Sequence, residues 1–293
     1  MSAYNLTIKP AQIEIIAKPG SSITQAYLIT NNSPNTLYLT PSVEAWTPQG
    51  NDGSVKYCSP ACPDAYNAIS YSLGNADLKI NQSFTLTPNQ SQQLVLKIKS
   101  TPDASLGDYY ATFFISQFTT DKIRNSDPAA PQTSAKLGSH ILLSLSKTES
   151  NPASSQIKLF KTSPRLKDIF FGKVNFTAQI DNTSDYYYPI VGKINIVKNG
   201  KTQTSLDLAP QNVLAHHSRN INCISPDKQS LQTCSLKAPF WPGHYTATLS
   251  LNPAIKSTPV TISYYIFPYY LGLALLLLSL AAILFFKRKP SST

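Results

Sequence analysis

Every second residue of KVNFTAQID is apolar. Val174, Phe176, Ala178 and Ile180 fall on one side of an extended chain and the polar residues on the other. HYTATLSLN repeats the pattern with Tyr245, Ala247, Leu249 and Leu251. QLVLKIK sets Leu94, Leu96 and Ile98 against Lys97 and Lys99. A helical period is not sustained anywhere before the C-terminal apolar run. Strands with one wet face, separated by Pro, Gly and Asn turns, predict antiparallel sandwiches. The fold class is therefore all-β.

The chain also repeats itself. GDYYATFFIS, from Gly107, and GHYTATLSL, from Gly243, both read G-x-Y-x-A-T. Earlier in each half a strand runs into an Asn/Ser turn and then a Tyr-bearing strand, in LITNNSPNTLYLTP and AQIDNTSDYYYPIV. The shared order predicts two related immunoglobulin-like β-sandwiches in tandem. The first spans residues 1–148, with a long polar loop at 117–134 that holds Pro128 and Pro131. A polar linker follows at 149–155, and the second sandwich spans 156–264.

Residues 265–286 carry no charge and match the ~20 apolar residues that a transmembrane helix needs. Tyr264, Tyr265, Phe267, Tyr269 and Tyr270 suit one bilayer interface. Lys287, Arg288 and Lys289 open the tail 287–293, whereas the nearest cation before the run is Lys256. The positive-inside bias places this tail in the cytoplasm and the N-terminal bulk outside. MSAYNLTIKP has neither the basic nor the apolar region of a signal peptide. Either the start is a processed or truncated form, or the chain is a tail-anchored, cytosol-facing adaptor with major-sperm-protein-like domains. The tail charge and the cysteines favour the first.

Four cysteines form two local pairs. Cys58 and Cys62 stand in CSPAC, and Cys223 and Cys234 close CISPDKQSLQTC. Close pairs in even number predict two disulfides in an oxidising compartment. A zinc site is the rival reading, since C-x3-C is a permitted spacing. The second pair is too widely spaced for it, and no His lies near the first.

The formal net charge is +10. Lys158, Lys161, Arg165, Lys167 and Lys173 cluster where the second sandwich opens, interleaved with Phe160, Phe170 and Phe171. One reading is contact with an anionic polymer such as teichoic acid, or with lipid headgroups. The other is solvated strand edges, which Lys protects from edge-to-edge pairing. Nucleic acid as partner lacks support, because the first half has no comparable cluster.

Catalysis finds little footing, and no cofactor or small-molecule substrate is expected. His216 and His217 are adjacent, so on a strand they point to opposite faces. Glutamate is limited to Glu14, Glu44 and Glu149, and G-x-S-x-G is absent. VKNGKT mimics a phosphate loop, but Asn195 stands where the earlier Gly is required; Asn199-Gly200 suits a hairpin turn. Asn-x-Ser/Thr sequons occur at Asn5, Asn31, Asn81, Asn89, Asn175 and Asn182; in a secreted eukaryotic chain they would mark glycans on loops, but chance hits are frequent in a chain so rich in these residues. YYYP at Tyr186–Pro189 and FWPGHY at Phe240–Tyr245 could stack on sugars, while Tyr245 also suits a corner tyrosine that packs the sandwich.

LTIKPAQIEIIAKPGSSITQAYLITNNS, from Leu6, FTLTPNQSQQLVLKIKSTPDASLGDYYATFFIS, NTSDYYYPIVGKINIVKNGK and PGHYTATLSL follow the punctuation of extracellular immunoglobulin-like domains. With one terminal helix and a basic tail, the chain resembles the WxL-interacting surface proteins of Gram-positive bacteria. That resemblance implies an N-terminal peptidoglycan-binding domain, a second domain for extracellular ligands or host proteins, and no catalytic residues. The four cysteines, the missing signal peptide and a shortened second domain depart from the family pattern. The expectation is a single-pass cell-membrane protein that binds or scaffolds at the surface, contacting cell-wall glycan or another surface protein.

Overall fold

The computed structural model describes residues 6–58, 64–118, 135–148, 153–163, 166–167, 173–224, 231–237 and 241–287. The chain divides into two units, Met1–Pro152 with Asp185–Tyr187, and Ala153–Ser184 with Tyr188–Thr293.

In the first unit the strands are β1 (Leu6–Lys9), β2 (Gln12–Ala17), β3 (Ser22–Asn31), β4 (Leu37–Gln49), β5 (Ser54–Tyr57), β6 (Ile69–Leu73), β7 (Phe84–Leu86), β8 (Ser91–Ser100), β9 (Gly107–Phe118) and β10 (Ala135–Leu145). One sheet runs β1-β3-β8-β6 and the other β2-β10-β9-β4-β5, with β7 beside β4. In immunoglobulin lettering these are A-B-E-D and A′-G-F-C-C′. β2 lies parallel to β10, His140 opposite Gln12 and Leu145 opposite Ala17. The remaining neighbours are antiparallel.

The alternation read from the sequence sets the core. Leu94, Leu96 and Ile98 are buried while Lys97 and Lys99 face water. They pack with Tyr27, Ile29, Phe113, Ile115, Ile141 and Leu143 between the sheets. The loop expected at 117–134 starts later, since Gln117 and Phe118 still pair in β9; residues 119–134 lie outside the described residues.

The second unit contains β11 (Ala153–Thr162), β12 (Leu166–Lys167), β13 (Lys173–Asn182), β14 (Tyr188–Ile190), β15 (Gly192–Lys198), β16 (Lys201–Asp207), β17 (Gln211–Val213), β18 (Ser218–Ile221), β19 (Cys223–Ile224), β20 (Leu231–Gln232), β21 (Ser235–Lys237), β22 (Gly243–Leu251), β23 (Ile255–Lys256) and β24 (Val260–Ile266). One sheet is β18-β13-β11-β23 with β21 on β13; the other is β12-β24-β22-β15-β16. Here too the first strand of the second sheet is parallel to the last, β12 to β24. The A′-G-F-C-C′ order thus occurs in both units, which gives the internal repeat a structural meaning. β11 begins at Ala153, so the expected linker 149–155 loses its last residues to this strand. Val174, Phe176, Ala178 and Ile180 are buried against Ile194, Ile196, Tyr245, Ala247 and Leu249. Asn199 and Gly200 take the positive φ angles of a tight hairpin between β15 and β16.

The repeated motifs have local causes. Tyr109 donates its hydroxyl to Ser105 O at 2.8 Å, and Tyr245 donates to Trp241 O at 2.7 Å. Both are tyrosine corners at the start of the F strand. The glycine two residues before each, Gly107 and Gly243, has φ of 135° and 147°. At the end of each B strand an asparagine is buried, Asn31 at 0% and Asn182 at 1% exposure. Asn31 Nδ2 donates to the carbonyls of Asn35, Leu86 and Thr87, and its Oδ1 accepts from Ser33. Asn182 Nδ2 donates to Val213 O, and its Oδ1 accepts from Ser184.

The expected span 265–286 is redrawn at its start. Tyr265 and Ile266 are the last residues of β24, opposite His244 and Gly243. Pro268, which carries no N–H, follows, and the helix α1 covers Tyr269–Lys287. Its side chains are described as far as Leu284. Among the described residues no helix is long and apolar enough to cross a membrane. Arg288 and Lys289 lie outside the described residues.

Candidate binding surfaces

The outer face of the first unit's A′-G-F-C-C′ sheet carries an aromatic cluster. Alternation sends Tyr109, Ala111, Phe113 and Ile115 inward and leaves Tyr110, Thr112, Phe114 and Ser116 on the other side of β9, yet these are buried as well. Trp46, 2% exposed, stacks on Tyr110 with centroids 4.8 Å apart and meets the His140 ring edge-on at 5.5 Å. His140 Nδ1 lies 2.9 Å from Thr112 Oγ1, which also meets the Tyr57 hydroxyl at 3.3 Å. Lys136 pairs with Glu44 at 2.6 Å and sits 5.2 Å from the Phe114 ring centroid. Burial holds the His140 pKa below its ordinary value, so this imidazole favours the neutral form. None of these residues was singled out from the sequence for this face. The signal was the near-continuous apolar run YYATFFI, which marks a strand covered on both sides.

In the second unit Lys158, Lys161 and Lys173 share one outward face. A bulge between Ile157 and Leu159 turns Lys158 outward along with Lys161. On the next strand Lys173 faces the same way and lies opposite Lys237 of β21. Like charges directly opposite one another are unfavourable, so this face gains from a counter-charge. Lys158 Nζ donates to Ser218 Oγ at 3.2 Å, and Ser218 donates to the Asp181 carboxylate at 2.7 Å. Arg165 and the side chain of Lys167 lie outside the described residues. Phe160 is a core residue stacked on Phe176, so it does not interleave with the cations at the surface.

Cys223 and Cys234 form a disulfide with both residues buried. Cys58 is disulfide-bonded, while Cys62 lies outside the described residues. Groups of His, Cys, Asp or Glu able to hold a metal are absent among the described residues. His216, with φ of 54°, sits in the turn before β18, where His217 Nδ1 contacts Ala215 O at 2.9 Å. Among the described residues the sequons divide by burial, and Asn5 lies outside them. Asn31 and Asn182 are structural, while Asn81, Asn89 and Asn175 are exposed. The two aromatic groups divide similarly: Tyr188 and Tyr245 are core, and Trp241 is 70% exposed. A recess of about 330 Å³ near the ends of β9 and β10 is lined by Leu6, Gln117, Ala135, Lys136 and Leu137.

No protein-family model and no curated protein sequence matches the chain, so the WxL-interacting resemblance stands without such a match. Among solved structures, the class 5 fimbriae chaperone CfaA is 10% identical, with 89% of this chain and 99% of that chain covered at a TM-score of 0.41. The Salmonella enterica SafA pilin–SafB chaperone complex supplies a match at 12% identity, 89% and 97% coverage and a TM-score of 0.39. A PapD-like domain of human CEP192 covers 50% of this chain and 88% of its own length, at 12% identity and a TM-score of 0.32. At these scores the assignment as immunoglobulin-like rests on the strand order of the two units themselves.

Proposed function

We propose that the chain is a single-pass membrane protein of the cell surface, with its two sandwiches outside and its basic tail in the cytoplasm. The sandwiches act as a non-catalytic binding or scaffold module for cell-wall glycan or another surface protein. The observation that carries this reading is α1. From Leu271 to Leu284 its large apolar side chains are exposed on every side, and an all-apolar helix surface requires a lipid or protein surround. The sequence continues with Phe285 and Phe286 before Lys287, Arg288 and Lys289, which supports a span with the tail inside. The Cys223–Cys234 disulfide supports an oxidising compartment for the second sandwich. The outward face of Lys158, Lys161 and Lys173 suits an anionic surface polymer.

Two experiments test the reading. Protease added to intact cells removes the sandwiches from a tail-tagged chain that alkaline carbonate leaves in the membrane. Full protection would put the cytosol-facing adaptor in its place. Detergent-solubilised full-length protein sediments with isolated sacculi at low salt, and Lys158→Glu, Lys161→Glu and Lys173→Glu together abolish this. Equal sedimentation of wild type and triple variant would remove the lysine face from the contact.

A further inference from the structure

Trp241 is the largest exposed apolar side chain of the second unit, at 70%, and no core role accounts for it. Its position follows from register. Gly243 lies opposite Ile266 and His244 opposite Tyr265, so Trp241, two residues before Gly243, flanks the point where the chain leaves β24. Only Phe267 and Pro268 separate β24 from α1, so Ile266 and Tyr269 lie within about 11 Å of each other. Tyr265 and Phe267 at this end are each 55% exposed. The Tyr265 ring leans on His244 at 4.8 Å. The β15–β16 hairpin reaches the same end, because Lys198 Nζ donates to Pro242 O at 2.9 Å and lies 5.3 Å from the Tyr245 ring centroid. Its tip adds exposed Lys201.

We propose that this end of the second sandwich is a membrane-contact face, with Trp241, Tyr265 and Phe267 seated in the headgroup layer and Lys198 and Lys201 against lipid phosphate. It rests on the anchor reading above. The bilayer is the occupant because the chain itself carries this end to the start of α1. The composition agrees, since amphipathic aromatic rings and lysines with apolar stems favour the water–lipid boundary. The sandwich is thereby held close against the membrane by contacts other than α1 alone.

The two tryptophans make the test direct, because Trp46 is 2% exposed and Trp241 is the accessible one. Full-length protein is placed in lipid nanodiscs, one chain per disc, with or without a nitroxide on the lipid headgroup. The expected result is loss of the Trp241 emission in labelled discs and a blue shift relative to water. Trp241→Phe, which keeps Trp46, loses both effects. Lys198→Glu with Lys201→Glu lowers the quenching in anionic discs and leaves it unchanged in neutral ones. Chains that enter the discs while Trp241 stays quenchable by aqueous iodide and insensitive to the headgroup label overturn this face but keep the anchor. A blue shift that appears only with two chains per disc, without headgroup quenching, assigns Trp241 to a second copy and also overturns it. Failure of the chain to enter discs overturns the anchor reading itself.

Discussion

A hydroxyl and a carboxamide, each used twice, hold the equivalent corners of both units. Asn182 is buried with its amide donating to Val213 O and its carbonyl accepting from Ser184. Asn182→Ala strands the buried Val213 carbonyl and removes the acceptor of the Ser184 turn, so urea unfolding of the second unit should report a loss of about 1–3 kcal/mol. Tyr245→Phe removes the single bond to Trp241 O and keeps the packing, and should cost only about 1 kcal/mol. His140 supplies a pH dependence. Its folded pKa is lowered by burial, so between the unfolded value near 6.5 and that lower value the unfolded chain binds a proton that the folded chain refuses. The full contribution is present above about pH 6.5 and is lost as pH falls through this window. His140→Gln should therefore narrow the difference in Tm between about pH 7.5 and pH 5.5, read by differential scanning calorimetry.

Among the elements, β9 and β10 are covered on both faces, and their outer contact depends on a glycine. A Cβ on Gly138 would meet Thr112 Cγ2 at 2.6 Å and Phe114 Cε1 at 2.8 Å. Gly138→Val should cost about 1–3 kcal/mol and shift the emission of Trp46, whose stack on Tyr110 belongs to the same cluster. The loop closed by Cys223 and Cys234 is short, with a separation of 11 residues. Reducing it should destabilise the second unit by about 3 kcal/mol on the loop-entropy estimate, seen as a lower urea midpoint in dithiothreitol.

At the scale of the molecule, the described residues of each unit form a hydrophobic core of their own. Phe176→Ala opens a cavity beside Phe160 and Tyr264 and should remove about 3–5 kcal/mol from the second unit. Calorimetry should show one transition lowered and the other unmoved; a common shift of both would join the units into one cooperative block. Much of this organisation was written locally. Period-two alternation placed Val174, Phe176, Ala178 and Ile180 inward, Asn199-Gly200 made its hairpin, and G-x-Y-x-A-T marked both corner tyrosines, because each depends on residues that are neighbours in the chain. The rest was decided only in three dimensions. Alternation states which side a residue faces, and it is silent on which strand pairs with which and on what covers the outer side. Hence the parallel A′–G pairing, the second burial of β9 under Trp46, the burial of Asn31 and Asn182 within apparent sequons, and Lys173 opposite Lys237 came from the tertiary structure. Each is a contact between residues far apart in sequence, and its energy exists only once the sheets have closed on one another.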